Sequence, residues 1–318
     1  MNPTMQELQM YQNFDELAED VLELAREIMP GKLIYLTTID DFQQVVLKVS
    51  DVDSEVLISE GLVVPVSNSV CDRINFEKQE PLIFEDIQEE IQSEPLRQLL
   101  KEVNMKSYLG LPISHQSGER FGTLCVAHHE VSSYDQKSIQ LLQRIVRMFT
   151  YYLELERSAY RETLTDIYNR RYLAKYFERH VTTAGTLFFL DLDGFKKIND
   201  THGHEVGDTV LMEVARRLQQ FSLSYPDSVV VRLGGDEFVL HFADVPTQEE
   251  MKQRAERIIA LLSDWSEGYA LSASIGIISY QADTEAHLQW LLQQADEALY
   301  KAKQEGKNGY RIAKNEKQ

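Results

Sequence analysis

The chain has 318 residues, 43% hydrophobic and 26% charged, with a formal net charge of −19. That length is about twice a usual single domain, so two domains are expected. Residues 1–160 carry 27 acidic against 13 basic side chains, and residues 161–318 carry 24 against 19. Neither half has the basic field that binding to a DNA or RNA backbone needs, so no nucleic-acid polymer is expected as a partner.

No apolar run approaches the roughly 20 residues of a membrane span. The opening MNPTMQELQM has neither the basic nor the apolar region of a signal peptide, so a cytoplasmic chain is expected. Cys71 and Cys125 lie far apart in sequence without metal-ligand spacing and are read as buried, reduced thiols.

In chain order, Leu17, Val21, Leu24, Ala25 and Ile28 recur at helical spacing and predict a helix over Phe14 to Met29, ended by Pro30-Gly31. KLIYLTTI (32–39) and QVVLKV (44–49) predict strands. Residues 110–129 predict a hairpin with Ser117-Gly118 in its turn. Past Tyr134, residues Leu141, Ile145, Met148, Tyr152, Leu155 and Ala159 follow a 4-3-4-3-4 spacing without Gly or Pro. This is a heptad seam, read as a helix pair joining two protomers; the alternative is one amphipathic helix packed on its own domain.

After Thr163 the pattern predicts helices at Leu173–Val181, Gly207–Gln220, Glu249–Leu262 and Leu288–Lys303. Strands are predicted at 186–193 and 269–280, with a hairpin through VVVRLGGDEFVLHF (229–242). Alternating units with one hairpin indicate an α+β sheet with helices on its faces.

The strand LFFLDLD ends in Asp191 and Asp193, which period-2 alternation puts on one side. Carboxylates at a strand end suit Mg²⁺ with phosphate co-ligands. The following GFKKINDTHGHEVGD supplies cations at Lys196 and Lys197 and base-pairing groups at Asn199 and Asp208. Gly207-Asp208 is read as a helix start whose amides can face an anion. His202 and His204 lack further ligands for a zinc site. Taken together, the acids, the lysine and the glycine-bounded helix start read as a nucleotide pocket.

LTDIYNRR (164–171), DLDGFKKINDTHGHEVGD (191–208), RLGGDEF (232–238), SIG (274–276) and ADEALYKAKQEGKN (295–308) occur in this order. They resemble the GGDEF family of diguanylate cyclases over about residues 160–312, whose fold is similar to the palm of polymerases and class III nucleotidyl cyclases. The resemblance implies condensation of two GTP into cyclic di-GMP with release of pyrophosphate. It further implies Mg²⁺ or Mn²⁺, two ions per GTP site, held by Asp191, the Leu192 carbonyl and Asp236. Glu237 lies beside Asp236, and Lys196 matches the lysine that steadies the transition state. Asn199 and Asp208 match the guanine-reading pair, and His204 a further substrate contact. Gly234 and Gly235 let the backbone approach the nucleotide, and Lys303 and Lys307 match a phosphate clamp. Position 307 is often Arg in the family.

The chain departs from the family pattern in places. The family's product-inhibition site, R-x-x-D, reads Tyr225 and Ser228 here, so feedback through it is not expected. The entry to the domain carries Glu162 for Asp and Asp166 for Gly. No EAL-type or HD-type hydrolase segment follows, so degradation of cyclic di-GMP is not expected.

VPVSNSVCDRI, EPLIFEDI, SYLGLPI and GERFGTLCVAH resemble a GAF domain over about residues 10–150, implying a sensory or dimerisation module with a possible small-molecule ligand. Val70 and Ile74 make Cys71 a core cysteine, with a reactive or ligand-contacting thiol as the alternative. The expected arrangement is thus a GAF-like domain (1–150), a connecting coiled-coil-like helix (136–162) and a GGDEF domain (160–318). Each GGDEF domain holds one GTP, so a homodimer is expected for catalysis. The readings set against this are a non-catalytic receptor for GTP or cyclic di-GMP and a GAF sensor that acts through protein contacts.

Overall fold

The first predicted helix forms over Phe14–Ile28 (α1) in the computed structural model, which describes residues 14–50, 54–115, 118–180, 184–281 and 287–313. Its buried face is Phe14, Ala18, Val21, Leu22 and Ala25, rotated from the expected stripe so that Leu24 is half exposed. Contact with the sheet, not spacing alone, selects which of the two leucines, Leu22 or Leu24, turns inward.

The chain divides into two units, one running to Arg157 and one starting at Ser158. In the first, β1 (Leu33–Ile39), β2 (Gln43–Val49), β3 (Val63–Pro65), β4 (Leu82–Phe84), β5 (Ser107–Ser114) and β6 (Arg120–His128) form one antiparallel sheet in the order β3-β2-β1-β6-β5-β4. The hairpin expected at 110–129 is β5–β6, and Ser117 of its predicted turn lies outside the described residues. Two short helices, α2 (Ile87–Glu90) and α3 (Glu94–Glu102), lie between β4 and β5.

Strand alternation serves two cores. Ile34, Leu36, Leu124 and Val126 pack with α1 and with α4 (Gln136–Tyr160), whereas Leu33, Tyr35, Cys125 and Ala127 pack under the loops and α3. Helix α4 buries Ile139, Leu142, Val146, Phe149 and Leu153 in the first of these cores. The predicted seam is a different stripe. Met148 and Leu155 are 71% and 70% exposed, while Leu141, Ile145 and Tyr152 are partly covered. The helix is therefore apolar on two faces, one packed within its own unit and one turned outward.

In the second unit, β7 (Tyr168–Asn169), β8 (Gly185–Asp193), β9 (Val229–Gly234), β10 (Glu237–Phe242), β11 (Ser272–Tyr280) and β12 (Tyr310–Ile312) form a sheet ordered β12-β11-β8-β10-β9-β7. The two outer pairings, β11–β12 and β7–β9, are parallel, and the inner ones are antiparallel. Phe188, Leu190 and Leu192 of β8 pack against α7 (His204–Ser222) and α8 (Gln248–Ser263). On the other face, Gly276 lets α9 (Leu288–Gln304) sit so close that an added Cβ would lie 1.8 Å from the Ala295 carbonyl. Helix α5 (Arg170–His180) brings Phe177 within 5.2 Å of the His241 ring. A β-strand with helices on both faces reads as a continuous apolar run, which is why LFFL shows no alternation.

Candidate active site

Strand β8 leads straight to the site. Its apolar run ends at Asp191, which lies opposite Glu237 of β10 on one side and opposite Ser274 of β11 on the other. Three chain segments that are far apart in sequence thus deliver polar side chains to one level of the sheet, at the end where β9 turns into β10.

The turn is Gly235-Asp236. Gly234 has φ 151° and Gly235 φ 52°, backbone values that a side chain would strain. Both glycines are exposed with open space around them, so the turn offers its backbone to a ligand. Arg232, only 8% exposed, holds the turn from beneath: Nε and Nη2 donate to the Gly235 carbonyl at 3.0 and 2.9 Å. Its Nη1 forms an ion pair with Glu162 at 2.8 Å. The Leu192 amide donates to the Asp236 carbonyl at 3.3 Å, fixing Asp236 against β8.

Three carboxylates therefore share a small volume. Burial and then the charge of Asp191 push the Asp236 carboxyl above its usual range, against the pull of Lys303 and Arg232. Burial, then Asp191, Asp236 and Asp296, raise Glu237 in the same way. Lys303 of α9 lies 2.7 Å from Asp191 and supplies one positive charge to the group. One ammonium against several mutually repelling carboxylates leaves a deficit of positive charge, and the donors are hard oxygens. Asp191, Asp236 and the neighbouring backbone thus fit a divalent cation of the Mg²⁺ type.

Asp193, the second acid of the D-x-D, has a different task. Its Oδ2 accepts from Ser274 Oγ at 2.7 Å and from the Asn308 amide at 3.0 Å. It thereby ties the SIG strand and the turn after α9 to the end of β8, leaving Asp191 as the acid of the pair that faces the turn.

Gly194, at φ 92°, reverses the chain into α6 (Phe195–His202), which places Lys196 exposed in its first turn and Asn199 in its last. Helix α7 begins at His204, three residues before the expected Gly207 start, because Gly203 at φ 87° already breaks the chain between the helices. Gly207 consequently sits in the second turn, not at an amide-presenting end. Its function is steric: a Cβ there would lie 1.8 Å from Asn199 Oδ1. That oxygen is buried and has no hydrogen-bond partner among the described residues. It is an acceptor prepared for a donor. His204 and Asp208, one turn apart on α7, are exposed beside it in sequence.

The structure brings together Asp191, Leu192, Asp236, Glu237 and Lys303, and separately packs Asn199 against the helix carrying His204 and Asp208. Lys307 is exposed with φ 64°, and its amide donates to the Ala302 carbonyl at 3.2 Å. Sequence reasoning missed the positioning roles of Arg232, Glu162, Ser274 and Asn308. An arginine two residues before a glycine turn was the available signal for the first.

At the entry to the unit, Glu162 accepts from the Thr165 amide at 2.9 Å and its hydroxyl at 2.7 Å. Asp166 takes φ 52°, the left-handed conformation that a glycine would adopt without strain and that Asp tolerates better than most residues. Elsewhere in the unit, Tyr225 packs 5.1 Å from Phe242 with the Arg254 guanidinium 4.4 Å over its ring. Ser228 Oγ donates to the carbonyls of Ser222 and Tyr225, both at 2.9 Å.

Comparison with known proteins matches residues 159–309 to the diguanylate cyclase GGDEF domain and residues 12–149 to the GAF domain. Diguanylate cyclase DgcP of Escherichia coli K12 is 27% identical over 94% of this chain and 92% of its own length. The bifunctional diguanylate cyclase/cyclic di-GMP phosphodiesterase MucR of Pseudomonas aeruginosa is 36% identical over 49% of this chain and 24% of its own. Diguanylate cyclase DosC of E. coli K12 is 36% identical over 46% and 34%. The chain thus spans nearly all of one relative and a quarter to a third of the other two. Among the described residues, no helix is long and apolar enough to cross a membrane.

Proposed function

The chain belongs to the GGDEF family of diguanylate cyclases, with a GAF domain ahead of the cyclase domain, and on that premise we propose how its residues carry the reaction. Two GTP condense to cyclic di-GMP, each 3′-hydroxyl attacking the α-phosphate of the other nucleotide while pyrophosphate leaves. The observation that supports this reading best is the register of β8 and β10, which puts Asp191 opposite Glu237 at the Gly235-Asp236 turn.

Asp191, the Leu192 carbonyl and Asp236 would hold Mg²⁺ or Mn²⁺, two ions per GTP, with Glu237 beside them. When bound, the metal neutralises phosphate charge and lowers the pKa of the attacking hydroxyl. An aspartate with a reference pKa near 4 is a poor base for a ribose hydroxyl, so Asp236 acts by holding and orienting. Gly234 and Gly235 admit the phosphates against the backbone, and Lys196 from α6 steadies the charge that develops on them. Lys303 and Lys307 hold the outer phosphates. The unpaired Asn199 Oδ1 accepts from the donor edge of guanine, assisted by Asp208, and His204 makes a further contact.

One domain supplies half of the reacting pair. The outward stripe of α4, with Met148 and Leu155 exposed, supports a homodimer that brings two cyclase domains to high local concentration. In this arrangement the GAF domain, with or without a small-molecule ligand, sets how the half-sites meet, and the protein works in the cytoplasm. The test is incubation of the purified chain with GTP and Mg²⁺ or Mn²⁺, with cyclic di-GMP as readout and Asp236→Ala as control. Nucleotide binding without product from the wild-type chain would replace the cyclase reading with that of a receptor.

A further inference from the structure

The two cysteines, read from the sequence as unrelated core residues, meet in the middle of the first unit. Cys71 lies in the short turn Val70–Arg73, whose Ser69 Oγ accepts from the Cys71 amide at 3.0 Å. Cys125 lies in β6 between Tyr35 of β1 and Gly110 of β5. Their Sγ atoms are 3.7 Å apart, and both residues are buried.

A structural cysteine sits among apolar groups and is inert. Cys71 Sγ is instead surrounded by hydrogen-bonding groups: Gln44 Nε2 at 3.0 Å, Tyr108 OH at 3.0 Å and Thr123 Oγ1 at 3.3 Å. Tyr108 and Thr123 also reach Cys125 Sγ, at 3.3 and 3.0 Å. Burial opposes ionisation of Cys71, but the hydrogen bonds from Cys125, Thr123, Tyr108 and Ser69 outweigh it and draw the thiol below its ordinary value. Burial and the adjacent Cys71 push Cys125 the other way. A cavity of about 70 Å³ opens onto this cluster, lined by Tyr35, Gln44, Asn68, Ser69 and Cys71 among apolar side chains, with Cys125 behind its wall. A water needs roughly 10–15 Å³ of such volume, so the cavity admits a molecule of a few heavy atoms.

We propose that Cys71 and Cys125 form a dithiol that is oxidised to an intramolecular disulfide by a small hydroperoxide entering this cavity. The cysteine on the cavity wall reacts first and the one behind it resolves the product. The Cys71 thiolate attacks the peroxide, forming an S–O bond as the O–O bond breaks, and the departing oxygen takes up a proton and leaves as alcohol or water. Cys125 then gives up its proton and attacks the Cys71 sulfenic acid, forming the S–S bond as the S–O bond breaks and water leaves. Two thiols lose two electrons in all, and the peroxide is reduced by two. The sulfurs must close from 3.7 Å to about 2.05 Å. Cys71 belongs to a four-residue turn outside the sheet, and that turn makes the movement while β6 stays in place.

The test treats the reduced, full-length chain with hydrogen peroxide, followed by thiol titration under denaturing conditions and intact mass. The chain has 2 cysteines, so the expected result is loss of both thiols, with the disulfide lowering the mass by two hydrogens after oxygens added to methionine are subtracted. Oxidation of Met212, exposed on α7 and away from the α4 stripe, serves as an internal control that peroxide was active. Cys125→Ser should stop at a sulfenic acid on Cys71 that dimedone traps, and Cys71→Ser should leave Cys125 reduced. Tyr108→Phe, which keeps the ring and removes one donor from the sulfur, should slow thiol loss at least several-fold. Two free thiols beside an oxidised Met212, a disulfide linking two chains, or equal reactivity of Cys125 in the Cys71→Ser chain would each overturn the proposal.

Discussion

Arg232 closes a clasp on Gly235: two of its guanidinium nitrogens donate to one carbonyl at 3.0 and 2.9 Å while the third binds Glu162, 70 residues earlier in the chain. The turn that carries Asp236 is thus fixed by a partly buried ion pair with the first residues of the unit. Replacing Arg232 by Ala removes Glu162's ionic partner while its Thr165 bonds remain, and should cost about 2 kcal/mol, the scale of hydrogen bonds to a charged group. Arg232→Lys keeps the charge but cannot make the forked contact. It should retain most of the thermal stability and lose cyclase rate at least tenfold. Denaturant melts and product formation, measured on both variants, check this; equal rates for wild type and Arg232→Lys would refute it.

Gly207→Ala tests the Asn199 pocket without touching a polar group. The added methyl meets Asn199 Oδ1 and must displace it. Overpacking of this kind costs on the order of 1–3 kcal/mol, and a misplaced acceptor costs nucleotide affinity. The expected result is a KM for GTP raised roughly tenfold, equivalent to about 1.4 kcal/mol, with Asn199→Ala showing a similar rise. Initial rates across a GTP series measure it.

Asp236 and Glu237 carry folded-state pKa values above their unfolded ones. Such acids contribute stability that is full below the unfolded pKa and is lost as pH rises through the folded value. A divalent cation requires the ionised forms and releases protons on binding. The metal-free protein should therefore lose stability from these groups as pH rises above the carboxylate reference values of about 3.9–4.3, while Mg²⁺ or Mn²⁺ stabilises it increasingly over the same interval. Melting temperatures with metal and with chelator, across a pH series, provide the comparison. Lys303→Met should shift the onset of metal stabilisation to higher pH, because Lys303 lowers both acids.

The proposed dimer predicts that Met148→Glu with Leu155→Glu on α4 gives monomers whose activity per chain depends steeply on concentration. Both side chains are largely exposed, so the fold of the single chain should change by no more than about 0.5 kcal/mol. Phe149→Ala, on the buried face of the same helix, should instead cost about 3–5 kcal/mol of stability. Sedimentation and melting on the two variants separate the stripes.

What could be read from the sequence was what is local. The glycine turn, the Asp236 and Glu237 pair and the end of β8 are each a short stretch whose turn chemistry and periodicity are self-contained. The tasks of Asp193 and Arg232 were not legible, because Ser274 and Asn308 lie 81 and 115 residues from Asp193 and Glu162 lies 70 from Arg232. Nor could the sequence choose between the stripes of α4. Both are apolar at helical spacing, and only the sheet beneath them decides that Phe149 is covered and Met148 is not. The start of α7 was misplaced because Gly207 was read as a helix boundary when its missing side chain makes room for Asn199.

The two apolar faces of α4 also constrain how its length can change. At about 100° per residue, one inserted residue between Phe149 and Leu155 would turn the outer stripe beyond it a quarter of the way round while the inner stripe before it stayed in place. Seven inserted residues would restore both faces to within about 20°. The helix therefore behaves as a gear with a seven-residue tooth: a change in length by whole heptads keeps both faces aligned, and intermediate lengths set one face against the other.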